Sequence, residues 1–427
     1  MLSNRGTKYA QSQDIPWGFA PGGSDRYDKV SNPNGVISFS MAENSLVHQE
    51  LEDFVPKNVT IPAEAFAYRY SAGGGLRFPI AMANHLNEYF DPHSPVNPDD
   101  ILTAAGLTAI DEMIAFALGD PGDAVLVSRP IYGRFELDFG NTAGLKIVYT
   151  DMEGVDTFAP EIVGKYQKAL DASNAMGVKI RFLMIVNPHN PLAGRCYPET
   201  TLKEIMKFCQ TNDIHLISDE VYALSVYDTE SDLPNFTSAL SINPSGLIDK
   251  DKLHVLSGMS KDFGSVGLRV GSLITQNAEL KKAVSANMRF HNPSGMAIAV
   301  STAILENRKF VASFLELARQ RLRESRAYTA EVLDKAGIKY EPGNAGFFLY
   351  IDLSLYLPDL KSTGPDAERG KEFALAQKLL DGGVGLHPCE EQNDKAGHFR
   401  LVFSSFDRDT LAEGLRRLLS VLEIRIS

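Results

Sequence analysis

From about residue 100 the apolar positions fall into short runs, separated by stretches in which they recur at helical spacing. Ile101–Ala104, 124–127, 145–149, Ile180–Val186, 215–218, 253–256 and 272–275 read as strands. Residues 108–118, Ile162–Ala175 and 202–210 carry the helical period. Ile180–Val186 is apolar everywhere except Arg181, the pattern of a strand covered on both faces. Strand and helix alternating in this way predict an α/β fold with a mostly parallel sheet and helices on both sides. Beyond residue 276 the pattern turns helical. One long helix is predicted over 309–336, stopped by Gly337, then a strand at 347–351, a helix at 367–380, a strand at 399–403 and a closing helix at 407–422. Residues 1–40 are rich in Gly, Pro, Ser and Asn and read as an irregular arm around Trp17. The expected division is an arm with part of a small domain over 1–95, a large domain over 96–310, and a small C-terminal α/β domain over 311–427.

Composition narrows the function classes. The 427 residues carry 42 Lys and Arg against 54 Asp and Glu, a net charge of −12, which argues against general binding to nucleic acid or to an anionic membrane. No run approaches the 18 or so apolar residues of a membrane span. The three cysteines, Cys196, Cys209 and Cys389, are odd in number and match no zinc spacing, so free thiols are expected. The opening residues show no apolar secretion core. A cytoplasmic location is the expectation, and the sequons at Asn58 and Asn235 are read as chance matches.

Four segments could carry chemistry. Ser257-Gly-Met-Ser260-Lys261 follows a predicted strand in a stretch dense in Gly and Ser, where a lysine could form a Schiff base with a carbonyl cofactor; Arg269, eight residues on, could grip a phosphate. Asp219 ends a buried strand, where α/β sheets bind ligands; a protonated ring nitrogen would satisfy its charge, although an N-cap aspartate is the plainer reading of that segment by itself. Asn190, held extended before Pro191, could donate to a phenolate oxygen, or simply belong to an Asn-Pro turn. Gly106-Leu107-Thr108 opens a helix whose N-terminus could cradle phosphate, or is an ordinary capped loop. No G-x-S-x-G elbow supports a serine hydrolase, and no G-x-G-x-x-G follows the first strand to support a dinucleotide site.

Taken in this order, from about residue 35 to 425, these segments resemble the fold-type I pyridoxal-phosphate enzymes of the class I/II aminotransferase family. Met41-Ala-Glu43-Asn-Ser-Leu46, the doubled Asn-Pro of 187–191, Ser260-Lys261-Asp262 and Asn344-Ala-Gly-Phe347 resemble the 1-aminocyclopropane-1-carboxylate synthase-like branch, in its fungal form. The resemblance implies pyridoxal 5′-phosphate held by Lys261, which would then shuttle a proton. It implies that Asp219 keeps the ring nitrogen protonated and that Tyr222 and Asn190 bond the ring oxygen. Tyr132 would stack on the ring. Leu107, Thr108, Arg269 and a nearby serine, with Ser260 the candidate, would bind the phosphate. Arg400 would pair with the substrate carboxylate, Glu43 would lie close to substrate, and Tyr70 would reach the phosphate of a neighbouring subunit, which implies a homodimer.

There are departures from that pattern. The phosphate-binding serine usual three residues before the lysine is Gly258, so Ser257 or Ser260 would substitute. Residues 73–75 and 291–295 differ from the plant synthases. With Trp17 and Phe19 they are expected to build an enlarged pocket, its space widened by the glycines, for a small-molecule amino-acid substrate of specialised metabolism. An aminotransferase is the first reading. A C–S lyase or cyclopropane-forming synthase is the second, and a non-catalytic paralogue the third, against which the retention of Lys261 argues.

Overall fold

The computed structural model describes residues 1–12, 25–359, 367–388 and 396–425. Its largest sheet has seven strands: β1 (Ile101–Ala104), β2 (Ala124–Ser128), β3 (Lys146–Thr150), β4 (Ile180–Val186), β5 (His215–Asp219), β6 (Leu253–Gly258) and β7 (Gly271–Thr275). Their order across the sheet is β1-β7-β6-β5-β4-β2-β3. The pairs β6–β5, β5–β4, β4–β2 and β2–β3 are parallel, and β7 runs antiparallel to both β1 and β6. The stretch between β6 and β7 holds only a short 3₁₀ turn at Val266–Leu268, and the chain returns antiparallel. The sheet is therefore mostly parallel, as its pattern predicts, with one reversed strand.

The apolar run of β4 is explained by cover on both faces. Ile180, Leu183 and Ile185 enter one core, and Phe182, Met184 and Val186 the other. In β2, Ala124 and Leu126 divide from Val125 and Val127 in the same way.

The chain forms two compact units. The larger comprises Glu43–Arg321 with Gly343–Gly346, the smaller Met1–Ala42, Leu322–Pro342 and Phe347–Ser427. Residues 43–95, expected in the arm and small domain, thus pack with the large sheet. The helices His48–Asn58 and Phe78–Tyr89 send Phe54, Phe78, Met82 and Leu86 into the core that also holds Leu126 and Ile185. In the smaller unit, Ile37–Ser38 pairs in parallel with Val384–Gly385. An antiparallel sheet there places His398–Val402 beside Phe348–Asp352. The opening residues are not wholly irregular, because Asn4–Ser12 is helical; Trp17, Phe19 and Cys389 lie outside the described residues. Cys196 and Cys209 are buried free thiols, and no described helix is long and apolar enough to cross a membrane.

Candidate active site

Most of the residues singled out in the sequence meet at one end of the seven-stranded sheet. Tyr132 follows β2, Asn190 follows β4, Asp219 ends β5, Lys261 follows β6, and Arg269 immediately precedes the reversed β7. The carboxyl ends of parallel strands are where open α/β sheets bind ligands.

The corner beside Arg269 is built largely from backbone. Gly106 takes φ +91° and opens the helix Leu107–Leu118, and as a glycine it brings no capping side chain of its own to the first N–H groups. Those amides and the positive end of the helix dipole are left to a ligand. Arg269, itself left-handed at φ +52°, lays its guanidinium against Gly106 so closely that any Cβ there would overlap it. On Gly271 a Cβ would stand 2.8 Å from the Leu107 nitrogen. Two glycine backbones, Gly106 and Gly271, therefore meet where the helix begins. Gly258 belongs to the same joint: a Cβ there would come within 2.7 Å of the Val270 carbonyl oxygen. That contact explains why a serine is missing at this position. Ser257 and Ser260 flank it, both buried.

Asp219 is buried, and one carboxylate oxygen accepts the Val221 N–H at 3.1 Å. Burial pushes its carboxyl up to about 7, opposed by the Val221 bond and the Lys261 ammonium. Its backbone carbonyl accepts the Asn187 N–H at 2.8 Å, which ties the Asn-Pro loop carrying Asn190 to β5. The Lys261 ammonium lies 5.9 Å from the centre of the Tyr222 ring, and Tyr222 is buried. Tyr132 is half-buried and packs edge-on against Phe135 at 5.3 Å.

Two carboxyls that the sequence reading did not single out interact electrostatically with Asp219. Asp111, on the helix Leu107–Leu118, is buried, with one oxygen lacking a hydrogen-bond partner among the described residues. Burial, then Asp138 and Asp219, hold it well above the carboxylate range. Asp138 is pushed up to about 7, chiefly by burial. An acid at 111 is indistinguishable in sequence from a solvated helix face.

Glu43 is half-buried at the start of the larger unit. The next residues lie on the loop after Lys261: His48 Nε2 is 3.0 Å from the Gly264 carbonyl, and a Cβ on Gly264 would stand 2.7 Å from that of Asn44. Tyr70 is elsewhere, in a surface groove with Asn58, Arg77, Thr302 and Asn307 that no other candidate residue lines. Arg400 lies in the smaller unit, buried, donating to the Ser40 carbonyl at 2.7 Å and standing 5.4 Å from the Phe348 ring centre. Residues 73–75 and 291–295 touch, through the Gly73 N–H and the Asn292 side chain at 3.2 Å. Their glycines answer backbone needs rather than widening a pocket. Gly73, Gly74 and Gly75 all have positive φ, and a Cβ on Gly74 would be 2.8 Å from Thr103 Oγ1.

A buried carboxylate that wants a cation, an amine beside it, and an uncapped helix start with a guanidinium fit pyridoxal phosphate at ring nitrogen, carbonyl and phosphate respectively. The family model "Aminotransferase class I and II" matches residues 73–418. The "probable aminotransferase aclI" of Aspergillus oryzae is 31% identical over 392 residues, 90% of this chain and 90% of that protein. The 1-aminocyclopropane-1-carboxylate synthase-like protein 1 of Bos taurus is 31% identical over 412 residues, 93% of this chain and 78% of its own. A double mutant of Thermus thermophilus aspartate aminotransferase shares the fold, with a TM-score of 0.70 at 20% identity over 99% of this chain and 97% of its own. The chain belongs to the class I and II aminotransferases, a family of pyridoxal-phosphate-dependent enzymes, alongside the 1-aminocyclopropane-1-carboxylate synthase-like proteins.

Proposed function

We propose that this enzyme binds pyridoxal 5′-phosphate at the end of the seven-stranded sheet and transforms an α-amino acid, by aminotransferase-type chemistry in specialised metabolism. The observation that carries the reading is the placing of Lys261 beside buried Asp219, with Arg269 closing on the helix start at Gly106. When bound, the cofactor supplies an electron sink for the bonds at the substrate α-carbon. Lys261 holds the cofactor and moves a proton at that carbon. Asp219 holds a proton on the ring nitrogen. Tyr222 and Asn190 donate to the ring oxygen, and Tyr132 covers the ring face. The Leu107 and Thr108 amides, the Thr108 hydroxyl, Ser260 and Arg269 take the phosphate. Arg400 pairs with the α-carboxylate and Glu43 contacts substrate.

A homodimer, with Tyr70 reaching a neighbour's phosphate, is supported by exposed apolar side chains on neighbouring segments. Phe66, Tyr68, Leu76, Ile80, Phe290 and Met296 all face solvent in the single chain. Gly295 packs on Ala65, and the amide of Gly73 bonds Asn292, so these side chains share one region.

A second reading, C–S bond cleavage or cyclopropane formation, is favoured by the position of Glu43 near the loop after Lys261. The test is to load the purified protein with pyridoxal phosphate and offer candidate amino acids. Keto acid with an amino-acid acceptor supports transamination, and pyruvate with ammonia or thiol supports the lyase. Methylthioadenosine from S-adenosylmethionine supports the synthase. Full turnover by Lys261→Ala with no added amine would refute the assignment of Lys261.

A further inference from the structure

We propose that Asp262 is a positioning residue that clamps the loop bearing Lys261 to the turn bearing Tyr222, and so sets the proton affinity of the Lys261 nitrogen in the loaded enzyme. The proposal rests on the cofactor reading above, and it concerns a residue to which that reading gives no task.

Asp262 follows Lys261 directly but turns inward, and only 5% of it is exposed. Its two carboxylate oxygens grip one turn. One accepts the Ser225 hydroxyl at 2.5 Å, and the other accepts the Leu224 N–H at 3.0 Å. That turn leaves the end of β5 and contains Tyr222, whose carbonyl accepts the Ser225 N–H at 3.0 Å. The Ser225 carbonyl in turn accepts the Gly346 N–H at 3.1 Å, and Tyr227 bonds Asn344, so the turn is held from its far side as well. A buried carboxylate is tolerated only where its oxygens are bonded, and bonds to a charged acceptor are short and strong. The clamp therefore fixes the separation of the Lys261 amine and the Tyr222 ring, 5.9 Å from nitrogen to ring centre.

The electrostatic consequence has a sign. A tyrosine donating to the ring oxygen draws off negative charge that would otherwise hold a proton on the Lys261 nitrogen. Loosening the turn weakens that bond and lets the proton stay to higher pH. The titratable and charged groups placed against this loop are Asp219, which acts on Lys261, His48, whose Nε2 meets the Gly264 carbonyl, and Arg319, which acts on Asp262, a carboxyl that burial itself pushes up to about 7. Asp219, His48 and Arg319 are kept in the variants below, and Ser225→Ala keeps Asp262 as well.

The experiment titrates the visible absorbance of the holoenzyme against pH, with pyridoxal phosphate affinity measured in parallel. Asp262→Asn keeps the shape but presents an amide N–H₂ to a donor; Ser225→Ala removes one prong and leaves the carboxylate in place. The expected result is a midpoint raised by about 0.5 pH unit or more in Asp262→Asn, and raised less in Ser225→Ala. Affinity should fall by no more than about tenfold, since the phosphate contacts are untouched. Unchanged midpoints in both folded variants would overturn the clamp, even if their thermal stability fell. If Asp262→Asn does not fold, Ser225→Ala alone decides. A wild-type protein that forms no visible band with pyridoxal phosphate would instead overturn the cofactor reading, a distinguishable failure.

Discussion

The guanidinium of Arg269 rests directly on Gly106, the residue that opens the helix Leu107–Leu118, and leaves no room there for a side chain. Arginine and helix start are thus brought together from two segments more than 160 residues apart in sequence.

Gly106→Ala should break that contact. The new methyl must displace Arg269, and φ +91° is itself strained for alanine, at about 1–3 kcal/mol. Pyridoxal phosphate affinity should fall at least about tenfold, while circular dichroism still reports the fold. Fluorescence titration with the cofactor measures the loss, and wild-type affinity would refute the phosphate assignment.

Asp219→Asn tests a pH effect with a definite sign. Burial holds the Asp219 carboxyl at about 7 in the cofactor-free protein, above its unfolded value of 3.8. The folded state then binds the extra proton between those values, and its stability falls as pH rises through the window. Asparagine has no such loss. The stability of Asp219→Asn relative to wild type should therefore rise from pH 4 to 7 and level off above, by at most a few kcal/mol. Urea denaturation of both proteins across that range checks it. In the loaded enzyme the same substitution should cost activity severely, because the ring nitrogen loses its partner.

Arg400→Gln should raise KM for the amino-acid substrate more than it lowers kcat. Truncating one partner of a desolvated bidentate pair costs roughly 2–5 kcal/mol, or about 30-fold or more in kcat/KM. An unchanged KM would move the carboxylate elsewhere. Arg400 is buried and bonded to Ser40, so thermal stability must be measured alongside.

Tyr68→Asp combined with Leu76→Glu places charge on the exposed apolar region. Tyr68 and Leu76 are 102% and 91% exposed in the single chain, so neither supports the folded monomer. Sedimentation should show dimer in the wild type and monomer in the double variant, with activity lost alongside. An active wild-type monomer would contradict the shared site.

How much of this was legible in sequence depended on how local each signal is. Ile180–Val186 is legible to the residue because cover on both sheet faces leaves a run apolar but for Arg181, and Ile162–Ala175 by its helical period. Lys261 stood out among glycines and serines, and Asp219 at the end of a strand. The reversal of β7 is not legible in sequence, because the link after β6 is about as long as a parallel crossover needs. Asp262 was quoted only as part of a motif. Its partners Leu224 and Ser225 lie 38 and 37 residues away, and nothing in the intervening sequence announces the pairing. The packing of residues 44–48 on the Lys261 loop spans more than 200 positions and is likewise a tertiary fact.

The glycine joint has a consequence for how this enzyme can change. At Gly106, Gly258 and Gly271 the chain has no room for a Cβ, because neighbouring backbone or the Arg269 guanidinium already fills the space. Mutation can deform such a joint but cannot refine it. Divergence in what the enzyme accepts must then be written elsewhere, at substrate-side positions such as Glu43. The anchor stays fixed while the chemistry above it drifts. A deep mutational scan should therefore show three intolerant glycines amid positions that trade one activity for another.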